Sequence, residues 1–284
     1  MESRSAVNRQ TPCSICNSEA RVWIGSTESV LYRCRECDHC FTDSPSIARV
    51  EAYGSDYYLE THRNWFENPN LPLFKTLRHI VLTQGAKNLL DIGCGNGAFL
   101  KYMLTDEKKI SLKGIDLSDA APDEGVEVVS GDFLNFEFGE KFDAIVSLAV
   151  IEHLSDVRSF ARRCHDLLND NAIACIMTLN EDGILYRVAR ILRRFGVRGP
   201  FLRLYDPHHL NHFSQRSLIR LLTQEGLFKV TRVINHNTLI SAIDIPATNP
   251  AVRLLMKTGV AGIFLLGRLT GLTYLQTVVV TKVG

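Results

Sequence analysis

Three groups of residues in this 284-residue chain have the types and spacing for chemistry. Leu89-Leu90-Asp91-Ile92-Gly93-Cys94-Gly95-Asn96-Gly97 runs an apolar stretch into an acid and three alternating glycines. Residues without a Cβ allow tight turns and let backbone N–H groups approach a ligand closely, as nucleotide-like cofactors require. Cys13-Ser14-Ile15-Cys16 and Cys34-Arg35-Glu36-Cys37 form two CxxC pairs seventeen residues apart, inside the window for a four-thiolate zinc site. Tyr205-Asp206-Pro207-His208-His209-Leu210-Asn211-His212-Phe213-Ser214 holds three of the nine histidines within five residues. A histidine titrating near neutrality suits proton removal from an acceptor.

These groups need elements to hold them. Apolar residues 89–92, then glycines, then Ala98-Phe99-Leu100 predict strand, turn and helix, the place where an α/β protein binds a cofactor. The carboxylate of Asp91 would repel a pyrophosphate and attract a sulfonium or ammonium. This favours S-adenosylmethionine over a dinucleotide. Further strands are predicted at 112–116, 126–129, 141–148 and 172–179, with a closing strand over 276–283.

In that order and at those distances, roughly residues 75 to 240 resemble the class I S-adenosylmethionine-dependent methyltransferases. The glycine turn resembles their first motif, Leu112-Lys113-Gly114-Ile115-Asp116-Leu117-Ser118 their second strand, Ser130-Gly131-Asp132-Phe133 their adenine turn, and 141–148 their fourth strand. The resemblance implies a Rossmann-like, doubly wound α/β fold with a mostly parallel seven-stranded sheet and a small N-terminal zinc ribbon. It also implies cofactor contacts from Asp91, Gly93, Gly95, Gly97, Asp116, Leu117, Asp132, Phe133 and Leu148. Asp116 would accept both ribose hydroxyls, and Asp132 would face the adenine amine with Phe133 or Leu134 against the ring. The histidine run resembles that of the zinc-ribbon sugar C-methyltransferases, with one acid missing. Glu152-His153 sits where quinone O-methyltransferases carry a Glu-x-x-Glu-His run, with Ala149 in place of its first acid. The base is therefore expected to be His208 or His209 first, with His153 as the second candidate.

The organisation expected is a zinc ribbon over 1–45, an aromatic linker or lid over 46–75, and a methyltransferase domain over 76–284 with a basic helical insertion at about 183–205. Cys13, Cys16, Cys34 and Cys37 are the simplest metal set, with His39 or Cys40 as a substitute for one thiolate. With four thiolates and no vacant position the zinc would be structural. Ile184, Leu185, Val188, Ile191, Leu192 and Phe195 recur at helical spacing among Arg187, Arg190, Arg193, Arg194 and Arg198. That helix could meet the substrate mouth, an anionic membrane or a partner, or carry a solvated arginine face.

Thirty-two basic against 31 acidic residues argue against a dedicated nucleic-acid binder. Eight cysteines, several in core positions, and no secretory signal point to a reducing, cytoplasmic compartment. The apolar stretch 251–275 is broken by Arg253, Lys257 and Arg268, leaving ten uncharged residues, too few to span a bilayer. It is expected to form a helix packed on the sheet, with peripheral membrane contact as the lesser alternative. Two function classes remain: methyl transfer to a small or carrier-linked acceptor (sugar, glycan, quinone-like ring or secondary metabolite), and cofactor binding without catalysis.

Overall fold

The structure is a computed structural model that describes residues 10–25, 30–42, 63–104, 110–118, 125–206, 208–243, 245 and 249–284. Most of the predicted aromatic linker, including Tyr53, Tyr57 and Tyr58, lies outside them.

The chain begins with β1 (Gln10–Pro12), β2 (Glu19–Gly25), β3 (Val30–Cys34) and β4 (Cys40–Thr42), all antiparallel to their neighbours. Then come α1 (Arg63–Glu67), α2 (Leu71–Thr83), β5 (Asn88–Ile92), α3 (Ala98–Met103), β6 (Ser111–Asp116), β7 (Glu127–Ser130) and β8 (Phe142–Leu148). A 3-10 turn at Ile151–His153 leads to α4 (Val157–Leu167) and β9 (Leu168–Leu179). The remainder is α5 (Ile184–Arg194), α6 (Gly199–Leu204), β10 (Asn211–His212), α7 (Gln215–Thr223), β11 (Phe228–His236), α8 (Pro250–Thr270) and β12 (Leu275–Lys282).

Seven strands form the central sheet in the order β11-β12-β9-β8-β5-β6-β7. The five strands from β9 to β7 are parallel, and β12 pairs antiparallel with both β9 and β11. This is the doubly wound, mostly parallel sheet expected from the sequence. Its two faces follow from the period-2 alternation of strand side chains. In β5, Leu89 packs with α2, α3 and α5, while Leu90 and Ile92 pack with α4 and α7 on the other face. Side-chain caps set several helix starts: Asp156 accepts from Ser159 N–H at 2.9 Å for α4, and Ser214 from Ser217 N–H at 3.1 Å for α7.

The second sheet has the order β1-β2-β3-β4-β10, so its last strand comes from the histidine run more than 160 residues later. Asn211 and His212 pair with Phe41 and Cys40. The cysteine-rich hairpin is thus joined to the main body by backbone hydrogen bonds.

Two helices depart from expectation. In α5 the buried side chains are Tyr186 and Ala189, while Ile191 and Phe195 of the apolar stripe are exposed. Ile184, Leu185, Val188 and Leu192 are half-buried, and Arg190 turns inward to a buried carboxylate (below). The 251–275 stretch does form a helix, α8, but it does not pack on the sheet. Only Phe264 and Gly267 are buried, and α8 is long and apolar enough to meet the length and composition of a membrane span.

Candidate active site and thiol cluster

The strands β5, β6, β7 and β8 run parallel, so Ile92, Asp116, Ser130 and Leu148 end on one edge of the sheet. Chain order reverses between β5 and β8, and in open α/β sheets ligands bind in the crevice at such a switch point.

At this edge the glycine turn is constrained from both sides. Gly93, Gly95 and Gly97 have φ of 69°, 52° and 71°, a region that L side chains rarely adopt. A Cβ on Gly93 would come within 2.3 Å of Val150 Cγ2, so the turn and the segment after β8 meet in close contact. A Cβ on Gly97 would meet nothing within 4 Å, which leaves that side open to a ligand. Gly93 N–H donates to Ile115 O at 2.8 Å, and Gly95 N–H to Asp116 Oδ2 at 2.8 Å, tying the turn to the end of β6.

Asp91 is buried, and its carboxyl is pushed well above its ordinary range by burial first and the nearby Asp116 second. A cationic ligand at this edge would favour the ionised form. The Asp116 carboxylate is buried and also accepts from Ser118 N–H and Oγ–H at 2.9 and 2.7 Å. Leu117 beside it is exposed, and Leu148 is half-buried. Asp132 is exposed and accepts from Leu134 N–H and Asn135 Nδ2. The Phe133 ring is buried edge-on to Phe160 and beside Phe138, so the half-buried side chain on that turn is Leu134.

After β8, Ala149 takes φ 58° and the chain turns sharply into the 3-10 turn. A left-handed conformation in a non-glycine residue is held by the packing around it, here the close contact of Val150 with the glycine turn. Glu152 and His153 then diverge. The Glu152 carboxyl is buried and accepts from Thr178 Oγ1 at 2.8 Å, whereas His153 is half-buried. Nδ1 of His153 lies 3.0 Å from the carbonyl of His208, and its ring meets His209 edge-on at 4.8 Å. A carbonyl can only accept, so Nδ1 carries the proton and Nε2 the basic lone pair. The structure thus brings together all three histidines singled out in the sequence.

Burial pushes the Glu152 carboxyl up to about 7. A carboxyl whose folded pKa is raised binds more protons in the native state, so native stability falls as pH rises from about 4.5 to about 7. Glu152→Gln, which cannot ionise, should be matched to wild type near pH 4 and be more stable at pH 8 by up to about 3 kcal/mol. Denaturant unfolding of both proteins across that range measures it; parallel curves would exclude the effect.

Sequence reasoning missed the centre that joins the two sheets. Glu181, just past β9, is 1% exposed. It accepts from Arg33 Nη2 at 2.6 Å and Tyr205 Oη at 2.6 Å, and pairs with Arg190 Nη1. Arg33 also lies over the Trp23 ring at 4.1 Å and bonds Asp38 at 2.9 Å. Arg33 and Arg190 are both committed to this carboxylate, although the sequence places Arg190 on a basic helical face. The Tyr205 ring in turn lies tilted against that of His212, which is buried with no hydrogen-bond partner on either ring nitrogen among the described residues. The only sequence signal was Asn180-Glu181-Asp182, a polar step directly after an apolar strand.

The thiols of Cys13, Cys16, Cys34 and Cys37 converge, with all four Sγ atoms within 4.8 Å of one another. Sγ separations are 3.5 Å for Cys13–Cys37 and Cys16–Cys34 and 3.6 Å for Cys16–Cys37. Tetrahedral ligands at a Zn–S distance of about 2.3 Å lie about 3.8 Å apart, so the cluster has the dimensions of one such site. Ile15 N–H points at Cys13 Sγ from 3.4 Å, the backbone donor that a thiolate attracts. Among the described residues it is the group of three or more His, Cys, Asp or Glu ligand atoms close enough to hold an ion. His39 and Cys40 stand apart from it: His39 Nε2 bonds Asn211 Oδ1 at 3.1 Å and its ring lies 4.8 Å from Phe213. Burial lowers the His39 pKa to about 4, so it is a neutral bridge between ribbon and body.

A family model described as a methyltransferase domain matches residues 62–232, which is more than half of the chain. The chain belongs to the methyltransferase domain family. This member is 29% identical over 161 residues to a ubiquinone biosynthesis O-methyltransferase of Ruegeria pomeroyi, covering 51% of this chain and 61% of that one. It is 31% identical over 120 residues to the enzyme of that name from Caulobacter vibrioides, covering 39% and 48%. The methyltransferase described here therefore spans roughly half the length of these relatives. Among solved structures, Burkholderia thailandensis 1,6-didemethyltoxoflavin-N1-methyltransferase, with bound 1,6-didemethyltoxoflavin and S-adenosylhomocysteine, superposes with a TM-score of 0.55 at 13% identity, over 93% of this chain and 99% of that one. A SAM-dependent methyltransferase of Archaeoglobus fulgidus gives 0.52 at 19% identity, over 80% and 100%. At such identities the likeness establishes the fold.

Proposed function

We propose that this methyltransferase uses S-adenosylmethionine to methylate a small-molecule or carrier-linked acceptor, with a histidine taking the acceptor's proton. The observation that carries the reading is the meeting of the glycine turn and the segment after β8 at one sheet edge, with His153 and His209 in ring contact beside it. Bound there, S-adenosylmethionine supplies a methyl group activated for in-line displacement. Asp91 would balance its positive charge, and Asp116, oriented by Gly95 and Ser118, would receive the ribose hydroxyls. Leu117, Leu134 and Leu148 offer apolar surface around the adenine end. His153, its tautomer set by the His208 carbonyl, is the assigned base, and His209 packs against it to hold the ring. The Glu152 carboxyl accepts from Thr178 Oγ1.

The relatives are named for ubiquinone biosynthesis, so a ring hydroxyl is the first acceptor to try. The four-thiol cluster is assigned a structural zinc, which supplies no reaction step and holds the ribbon against the histidine run.

Calorimetry with S-adenosylhomocysteine should show one site per chain, and no binding to folded protein would overturn the proposal. Radiolabelled methyl transfer to catechol, quinol and nucleotide-sugar acceptors then assigns the class. With the acceptor that turns over, His153→Asn should lower kcat by about a hundredfold or more with homocysteine-product affinity unchanged. A kcat within threefold of wild type, by contrast, would remove His153 as the base.

A further inference from the structure

We infer that α8, together with the outer face of α5 and α6, is a docking surface for an anionic lipid bilayer. The helix α8 carries Leu254, Leu255, Leu265, Leu266 and Leu269 exposed, with Leu255 at 73% and Leu269 at 77%. At about 100° per residue these five fall within one stripe of about 120°, opposite the buried Phe264 and Gly267. A stripe of leucines turned to solvent on a helix that is otherwise anchored is an interaction surface. The anchoring is specific: Asn237 Nδ2 donates to Phe264 O at 3.0 Å, Phe264 stacks on Tyr274, and a Cβ on Gly267 would lie 2.8 Å from Leu272 O.

Helix α5 packs beside α8 and repeats the pattern. Ile191 and Phe195 are exposed, Phe195 at 81%, with Val197 and Leu202 following. The cations select the occupant. From Ile184 to Tyr205 there are six arginines and no acid, and from Pro250 to Thr270 there are Arg253, Lys257 and Arg268 and no acid. Only Arg190 of these turns inward to Glu181. On α8 the three cations lie within about 60° of one another on the side of Phe264, about 100–160° from the centre of the leucine stripe, so the charge beside exposed apolar side chains comes from α5, where Arg187 and Arg194 fall within about 60° of Ile191. Apolar side chains that enter the acyl boundary beside cations at headgroup level are the arrangement of an in-plane interfacial helix, and such cations strengthen binding to an anionic surface.

The topology rules out crossing. α8 lies between β11 and β12, which are adjacent strands of one sheet, so both of its ends return to the same body. A span would carry the connection after β11 back through hydrocarbon as unpaired backbone, which bilayers exclude. The helix therefore lies in the plane of the interface.

The full chain is tested by sedimentation with vesicles of phosphatidylcholine alone and of phosphatidylcholine with about one-third phosphatidylglycerol. Binding is expected to the anionic vesicles, to weaken at high salt as screening grows, and to be at least tenfold weaker to the neutral ones. Leu255→Glu combined with Leu269→Glu, on residues remote from the glycine turn, should lower anionic binding at least tenfold with S-adenosylhomocysteine affinity unchanged. Should that variant misfold, the comparison of the two vesicle types on the wild-type chain decides alone. Equal binding to both, or to neither, overturns the inference. A concentration-dependent dimer by light scattering that the leucine substitutions abolish, without anionic vesicle binding, assigns the face to a second copy and overturns it too.

Discussion

Cys34→Ser protein is expected to carry well under half of the roughly one zinc per chain of the wild type, and to lose its protection from proteolysis across residues 10–42. The reason is one of size. About thirty residues bury too little apolar area to fold unaided, and four-thiolate sites in small domains contribute roughly 10 kcal/mol or more of folding free energy. The consequence extends beyond the ribbon, because β4 pairs with β10 and Arg33 reaches Glu181. Loosening the ribbon removes the edge against which Asn211 and His212 are paired, two residues beyond His209. The glycine turn belongs to β5 and its neighbours in the other sheet. S-adenosylhomocysteine affinity should therefore change by less than about tenfold, while turnover of the acceptor falls with the histidine run. Atomic absorption, limited proteolysis and calorimetry on one preparation check the three parts. Full zinc content with a protected ribbon would refute the assignment of Cys34 as a ligand.

Glu181→Gln should destabilise the chain by about 3 kcal/mol, read as a lowered denaturant midpoint at unchanged slope. Removing one member of a buried ionic group leaves the others desolvated without compensation, and here the others are two guanidinium groups and a phenol. The partly exposed Arg33 and Arg190 side chains, at 23% and 22%, keep the cost at the lower end. Arg33→Ala leaves Arg190 and Tyr205 on the carboxylate and should cost less, about 1 to 2 kcal/mol. The double variant should fall well short of the sum, since both changes act on one network. Additive losses would mean that the two residues stabilise the fold separately.

Much of the methyltransferase body was legible in the sequence because its signals are local. Glycines at 93, 95 and 97 are demanded by their own positive φ values, and the strands 88–92, 111–116, 142–148 and 168–179 are short apolar runs ending in turn residues. The two CxxC pairs were legible for the same reason, since each knuckle is made by four consecutive residues. The histidine run was legible as a place but not as an arrangement. No pattern along the chain says that the His208 carbonyl faces His153 Nδ1, 55 residues earlier.

The errors share one cause. Helical periodicity finds an apolar stripe but not what covers it. In α5 the predicted stripe divides, with Ile184, Leu185, Val188 and Leu192 half-buried and Ile191 and Phe195 exposed, while Tyr186 and Ala189 are buried and Arg190 pairs with Glu181. In α8 the stripe was assumed to be inward because it is apolar, yet only Phe264 and Gly267 are buried and the leucines face out.

By itself, then, the amino-acid order determined the cofactor turn, the strand succession and the thiol cluster, each of which is set by backbone conformation or ligand spacing within a few residues. Only the tertiary structure decided that the ribbon shares a sheet with the histidine run, that Glu181 gathers Arg33, Arg190 and Tyr205, and which faces of α5 and α8 remain bare. Those outcomes depend on contacts between residues up to 172 positions apart (Cys40 with His212 at the shared edge), and distant pairings are fixed by the summed packing of the whole chain.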